Sequence, residues 1–125
     1  MKTILLIEDD PFLIDIYTTK LKESGFSVKV ANNGEVALGK LEGKKPDLVI
    51  LDIVLPGIDG WEILRKIKSN PQKFQDLKII ILSNLGQKEE VERGIRLGSL
   101  KYLIKAHYTP SEVVQEIKAI LENSK

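Results

Sequence analysis

Four places in the chain carry residue types able to do ionic chemistry together: Glu8-Asp9-Asp10, Asp52, Ser83-Asn84 and Lys105. Each follows an apolar stretch, and the one before Asp52 is the continuous run Leu48-Val49-Ile50-Leu51, entered through Pro46 and left through Pro56-Gly57. Such a run reads as a strand buried on both faces. Aspartate is depleted in strands and almost never fully buried without a partner. Asp52 therefore either ends its strand at a polar rim or does chemistry there. Gathered at one rim, these groups amount to three or four carboxylates, a hydroxyl and one ammonium. Clustered carboxylates raise one another's pKa unless a cation sits among them. A partly hydrated divalent ion resolves that conflict, and magnesium usually takes one or two carboxylates plus phosphate oxygens. The hydroxyl and ammonium then face the anion that the metal holds. That is equipment for phosphoryl transfer, with aspartate as a nucleophile that forms an acyl phosphate.

The elements that must position these residues alternate five times between apolar run and helical pattern. Strands are expected at Thr3–Ile7, Phe26–Ala31, Asp47–Leu51, Leu77–Leu82 and Tyr102–Ile104. Phe26–Ala31 alternates apolar and polar residues, as an edge strand does. Asp10-Pro11 reads as an N-cap with proline at the first helical position, followed by the stripe Leu13, Ile16, Tyr17 and Leu21 and a stop at Gly25. Asn32 or Asn33 caps a helix with Val36, Ala37 and Leu41, and Asp59 with Glu62 opens one carrying Ile63, Leu64 and Ile67. Gln87–Leu97 carries Val91, Ile95 and Leu97 before Gly98. Thr109-Pro110-Ser111-Glu112 combines a capping box with proline in the first turn, ahead of Val113, Val114, Ile117, Ile120 and Leu121. Five strand–helix units imply a doubly wound α/β fold, a parallel sheet with helices on both faces. Its ligands bind outside the carboxyl ends of the strands.

Bulk properties narrow the partners. The 125 residues suit one domain, and 19 basic against 18 acidic side chains give no electrostatic case for direct nucleic-acid binding or an anionic membrane. The absence of cysteine removes disulfides, thiolate metal sites and cysteine nucleophiles. Neither a signal peptide nor an apolar run of membrane-spanning length is present, so a cytoplasmic location is expected.

Over essentially its whole length the chain resembles a response-regulator receiver domain of bacterial two-component signalling. The matching residues are Ile7-Glu8-Asp9-Asp10, the stretch Leu51-Asp52-Ile53-Val54-Leu55-Pro56-Gly57-Ile58-Asp59-Gly60, Ser83, and Tyr102-Leu103-Ile104-Lys105. The resemblance implies a (βα)5 flavodoxin-like fold with strand order 2-1-3-4-5. It makes Asp52 the phosphoacceptor and gives magnesium, or manganese, to Glu8, Asp9, Asp52 and the backbone carbonyl of Val54, one of the two acids acting through water. Ser83 and Lys105 would contact the phosphoryl group, and Tyr102 would be the aromatic that reports activation. The donor would be a histidine kinase or a histidine phosphotransfer protein. The face of the fourth helix, fifth strand and fifth helix would carry the message to a downstream protein of unknown identity, from a monomer or a phosphorylation-dependent homodimer. Residues 1–125 are expected to form one receiver with no output domain, a phosphoacceptor rather than an enzyme.

Some residues have plainer uses. Asp10 and Asp59 serve as helix caps, Trp61 as packing and His107 as surface. Lys88-Glu89-Glu90-Val91-Glu92-Arg93 reads as a solvated helix face. Ser83 and Lys105 alone would be an ordinary hydroxyl and a surface charge; their company gives them a role. Three departures from the family stand out. Ala106 follows Lys105 where the family has a cis proline, so a trans peptide is expected. Asn84 replaces a small residue, and residues 68–78 form a long polar connection with Pro71. In the family's geometry Val54 and Leu85 flank the acyl phosphate and cannot orient water, which implies slow self-dephosphorylation. Two alternatives compete: a binding module that signals without phosphorylation, and an aspartyl-phosphate phosphatase, which lacks a visible lid or spare base.

Overall fold

A computed structural model describes residues 1–122; residues 123–125, which the expected domain span includes, lie outside the described residues. The strands are β1 (Thr3–Ile7), β2 (Ser27–Ala31), β3 (Leu48–Leu51), β4 (Lys78–Ser83) and β5 (Lys101–Ile104). The helices are α1 (Pro11–Glu23), α2 (Gly34–Glu42), α3 (Gly60–Lys68), a single-turn α4 (Pro71–Phe74), α5 (Lys88–Arg96) and α6 (Pro110–Glu122), with a 3-10 turn at Lys105–His107. The sheet has the order β2-β1-β3-β4-β5, parallel throughout. This is the expected flavodoxin-like topology.

Successive strand residues point to opposite faces, and the apolar runs fill both. Leu5, Ile7, Val49, Leu51, Ile79 and Ile81 meet Ala37, Leu41, Ile63, Leu64 and Ile67 of α2 and α3. Ile4, Leu6, Leu48, Ile50, Ile80 and Leu82 meet Tyr17, Leu21, Val113 and Ile117 of α1 and α6. A sheet covered this way needs no polar alternation in its central strands, and β3 has none.

The caps form at the expected residues. Phe12 N donates to Asp10 Oδ1 (2.9 Å), Val36 N to Asn33 Oδ1 (2.9 Å) and Glu62 N to Asp59 Oδ1 (3.0 Å). The capping box of α6 closes both ways, Thr109 N to Glu112 Oε1 (2.8 Å) and Glu112 N to Thr109 Oγ1 (3.1 Å). Several elements differ from the expectation. The polar connection contains α4, a turn capped by Asn70 too short to leave a periodic pattern. β4 runs on through Ser83, and β5 opens at Lys101, paired with Ile80. Ile95, expected on the core stripe of α5, is exposed, because Gly94 takes the inward position against Ile81 and Tyr102. No described peptide bond is cis, so Lys105-Ala106 is trans and opens the 3-10 turn.

Candidate functional site

The carboxyl ends of the central strands hold the predicted acids. The ladder runs one residue past β1 and β3: Glu8 N donates to Ala31 O and Asp52 N to Ile7 O, each at 3.0 Å. Glu8 and Asp52 are thereby tied to the sheet while their side chains stand at its rim, 2% and 5% exposed. Asp9 beside them is exposed. One ligand atom from each of Glu8, Asp9 and Asp52 lies within 4.8 Å of the others.

Lys105, at the start of the 3-10 turn after β5, reaches back across β4 to this cluster. Its Nζ lies 2.7 Å from Glu8 Oε1 and 2.9 Å from Asp52 Oδ2. Burial works to lower the Lys105 pKa, but the hydrogen bonds to Asp52 and Glu8 outweigh it and hold the ammonium above its ordinary value. Burial pushes the Glu8 carboxyl up, against the pull of Lys105 and of the Asp10 amide, whose N–H donates to Glu8 Oε2 at 3.1 Å. Val54 N donates to Asp52 Oδ1 (3.3 Å), which fixes the carboxylate's second oxygen.

Three clustered carboxylates with one ammonium leave an excess of negative charge, and the donor set is all oxygen. That chemistry fits a hard divalent cation. Glu8, Asp9 and Asp52 are the residues able to hold it.

Ser83 ends β4 wholly buried, and its Oγ accepts from Leu85 N at 3.3 Å. The Tyr102 hydroxyl donates to the carbonyl of the same Leu85. Leu85 thus joins the strand-four hydroxyl to the aromatic through its own two backbone groups. Tyr102 lies half-buried against Gly94, and burial raises its phenol pKa. Asp10 is a cap rather than a member of the acid cluster, and Asp59 likewise. Trp61 packs in the core with the Arg93 guanidinium 4.3 Å from its ring centroid, and His107 is exposed.

Two residues near the rim escape a sequence reading. Phe12 is 71% exposed just after Pro11, and Tyr17 is buried close enough to feel Lys105, Glu8 and Asp52. With Ile16, Ala106, Tyr108 and Lys105 they line a largely apolar cleft of about 410 Å³ beside the acids. Phe12 falls one place off the α1 stripe, which is the available signal; Tyr17 sits on the stripe and reads only as core.

Comparison with known proteins agrees with this geometry. Residues 4–118 match the family model for the response regulator receiver domain. The chain is 36% identical over 125 residues to the alkaline phosphatase synthesis transcriptional regulatory protein PhoP of Bacillus subtilis (strain 168), covering 98% of this chain and 50% of that protein. It is 34% identical to the phosphate regulon transcriptional regulatory protein PhoB of Rhizobium meliloti (strain 1021), covering 98% and 53%. The chain thus spans about half the length of these curated relatives. Among solved structures, the receiver domain of the Francisella response regulator 1452 matches with a TM-score of 0.89 at 26% identity, over 100% of both chains. The Mn(2+)-bound form of response regulator Rcp1 matches at 0.87 and 26% identity, over 100% of this chain and 97% of that one.

Proposed function

The chain belongs to the response regulator receiver domain family, and from that membership we propose that it is a switch phosphorylated on Asp52 by a phosphohistidine of a histidine kinase or histidine phosphotransfer protein. The observation that carries this reading is the grip of Lys105 on Asp52 and Glu8 beside a three-carboxylate cluster. An Asp52 oxygen attacks phosphorus, the P–N bond to the donor imidazole breaks, and the imidazole leaves with its electron pair and takes up a proton. Glu8, Asp9, Asp52 and the Val54 carbonyl would hold magnesium or manganese, which would supply charge neutralisation on the phosphoryl oxygens. Lys105 then trades its contact with the carboxylate for one with the phosphoryl group. The apolar cleft beside Lys105 favours a protein donor, because Phe12 and its neighbours offer it contact area.

The new charge, about −1.5 to −2 by analogy with side-chain phosphoesters, draws the Ser83 hydroxyl off the Leu85 amide. Because Leu85 also accepts from Tyr102, the loop shift frees Tyr102 to move. The face of α5, β5 and α6, which is the fourth-helix, fifth-strand, fifth-helix surface once α4 is counted, changes with it. We read the output as contact with a downstream protein or a second copy through that face, without direct nucleic-acid binding.

Intact mass after incubation with magnesium and a small acyl phosphodonor tests the reading. One added phosphoryl group is expected, absent in Asp52→Asn. No addition favours a binding module, and continuous release of phosphate favours a phosphatase.

A further inference from the structure

The end of the molecule away from the acids carries a second feature, with the opposite charge. In a parallel α/β sheet the helices run back, so the carboxyl ends of α2 and α3 lie opposite the phosphorylation rim. Between them and α4 is a cleft of about 310 Å³. Leu41 and Ile67, 2% and 4% exposed, form its floor, and the half-buried Leu38 and Phe74 line it above them. Lys73 closes one side: its Nζ donates to the Glu42 carbonyl at 2.8 Å and lies 5.3 Å from the Phe74 ring centroid. Lys66 lines the cleft too, and Glu42 is the single acid that does.

Cations extend this rim. Lys40, Lys44, Lys45, Arg65 and Lys68 are exposed at the same end, and among the described residues none of them, nor Lys66, makes an ion pair. Helix dipoles favour a cation or two at each carboxyl end, which accounts for Lys40 and Lys68. They do not account for Lys44 and Lys45, which follow the helix in the loop, or for an apolar cavity among the charges.

We propose that this cleft is the docking site for an acidic polypeptide segment, which inserts one apolar side chain between Leu38, Leu41, Ile67 and Phe74 and sets its carboxylates against Lys66 and the surrounding lysines. Charge complementarity selects an acidic partner. The apolar floor selects a polypeptide over a nucleic-acid backbone, which has no apolar group to fill it. A lipid surface is disfavoured because none of the strongly exposed apolar side chains, Met1, Phe12, Val54 and Leu100 among them, lines the cleft. The site stands apart from Asp52 and works independently of its phosphorylation.

A fluorescently labelled, glutamate-rich helical peptide with one leucine per turn is the probe, titrated by anisotropy into the Asp52→Asn protein at low ionic strength. Using that variant separates the result from phosphoryl transfer. Lys66→Glu and Leu38→Asp should each weaken binding at least about tenfold, roughly the loss of one substantial contact. Lys20→Glu, at the end of α1 across the sheet, should leave it unchanged, and amide shifts should cluster on α2, α3 and α4. Circular dichroism checks Leu38→Asp; exposed Lys66→Glu keeps the test open if that variant misfolds. The proposal is overturned if no binding occurs, if the leucine-to-alanine peptide binds as well, or if Lys20→Glu weakens binding as much as Lys66→Glu. Equal or tighter binding of duplex DNA or anionic vesicles, lost with the same variants, overturns it in favour of those partners.

Discussion

One ammonium shared by two buried carboxylates is the defining contact of this protein. The Lys105 side chain is 12% exposed and bridges Glu8 and Asp52. Removing one partner of a buried ion pair leaves uncompensated charge and commonly costs about 3–5 kcal/mol. Lys105→Met should therefore destabilise the metal-free protein by an amount of that order, measured by urea unfolding in EDTA. The pH dependence follows from the raised Lys105 pKa. A group raised in the folded state stabilises fully below its unfolded value, about 10.4 for lysine, and loses that contribution as pH climbs through the folded value. The gap between parent and Lys105→Met should shrink above about pH 10.4; a gap unchanged to strongly alkaline pH would mean that pairing does not hold Lys105. Val54 allows a second, cleaner substitution, because its side chain is 58% exposed and contributes little packing. On the proposed role of Asp52 as phosphoacceptor, Val54→Asn, like Leu85→Gln, would place a polar group where water attacks the acyl phosphate. Phosphoryl loss followed by intact mass should quicken severalfold, short of the roughly 10²-fold that a full general base supplies. An unchanged half-life in both variants would remove the case for slow self-dephosphorylation.

Helix α5 shows how closely an element packs against the half-buried Tyr102. A Cβ on Gly94 would lie 2.6 Å from Ile81 Cδ1 and 2.8 Å from Tyr102 Cδ2, so alanine there would have to push side chains aside. Gly94→Ala gains about 0.5–1 kcal/mol of helix propensity against about 1–3 kcal/mol of overpacking, a net loss on the order of 1 kcal/mol in chemical denaturation. In a Tyr102→Ala background the ring is gone but Ile81 Cδ1 remains, so the loss should shrink without vanishing. If the loss is undiminished there, Tyr102 is not what Gly94 accommodates. Gly60→Ala should cost more, because its Cβ would meet backbone, the Asp52 carbonyl and Ile53 Cα at 2.6 Å, which cannot step aside. Features of this kind separate what the sequence makes legible from what it hides. The caps at Asp10, Asn33, Asp59 and Thr109 were readable because each uses a local rule spanning three residues. The inward Gly94 and outward Ile95 were not, since hydrophobic periodicity assigns the core position to the larger apolar residue. The acids and Lys105 could be placed at strand ends, but their pairing could not: Lys105 crosses β4 to reach Asp52 and β3 as well to reach Glu8, and the strand order that decides this is a tertiary fact.

Across the whole molecule the near-neutral charge hides a division. Parallel strands send every carboxyl end one way, so Glu8, Asp9 and Asp52 gather at one end, while the lysines after α2 and α3 gather at the other. At the acid end Lys105 answers only part of the charge, the setting in which a divalent cation would bind. A ligand that binds only the folded state stabilises it by mass action, about 2.7 kcal/mol at a hundred times its Kd. For a domain of this size that corresponds to a rise in Tm on the order of 10 °C. Saturating magnesium should raise Tm by about that much over EDTA, and potassium chloride at matched ionic strength should not. Asp9→Asn should abolish most of the rise while keeping the fold, because Asp9 is exposed and, among the described residues, no ion pair of the core depends on it. Lys66→Glu, at the far end, should leave the rise intact, since over that distance exposed charges are screened. A rise that survives Asp9→Asn, or that potassium reproduces, would mean that magnesium acts on general surface charge and not on the cluster beside Asp52.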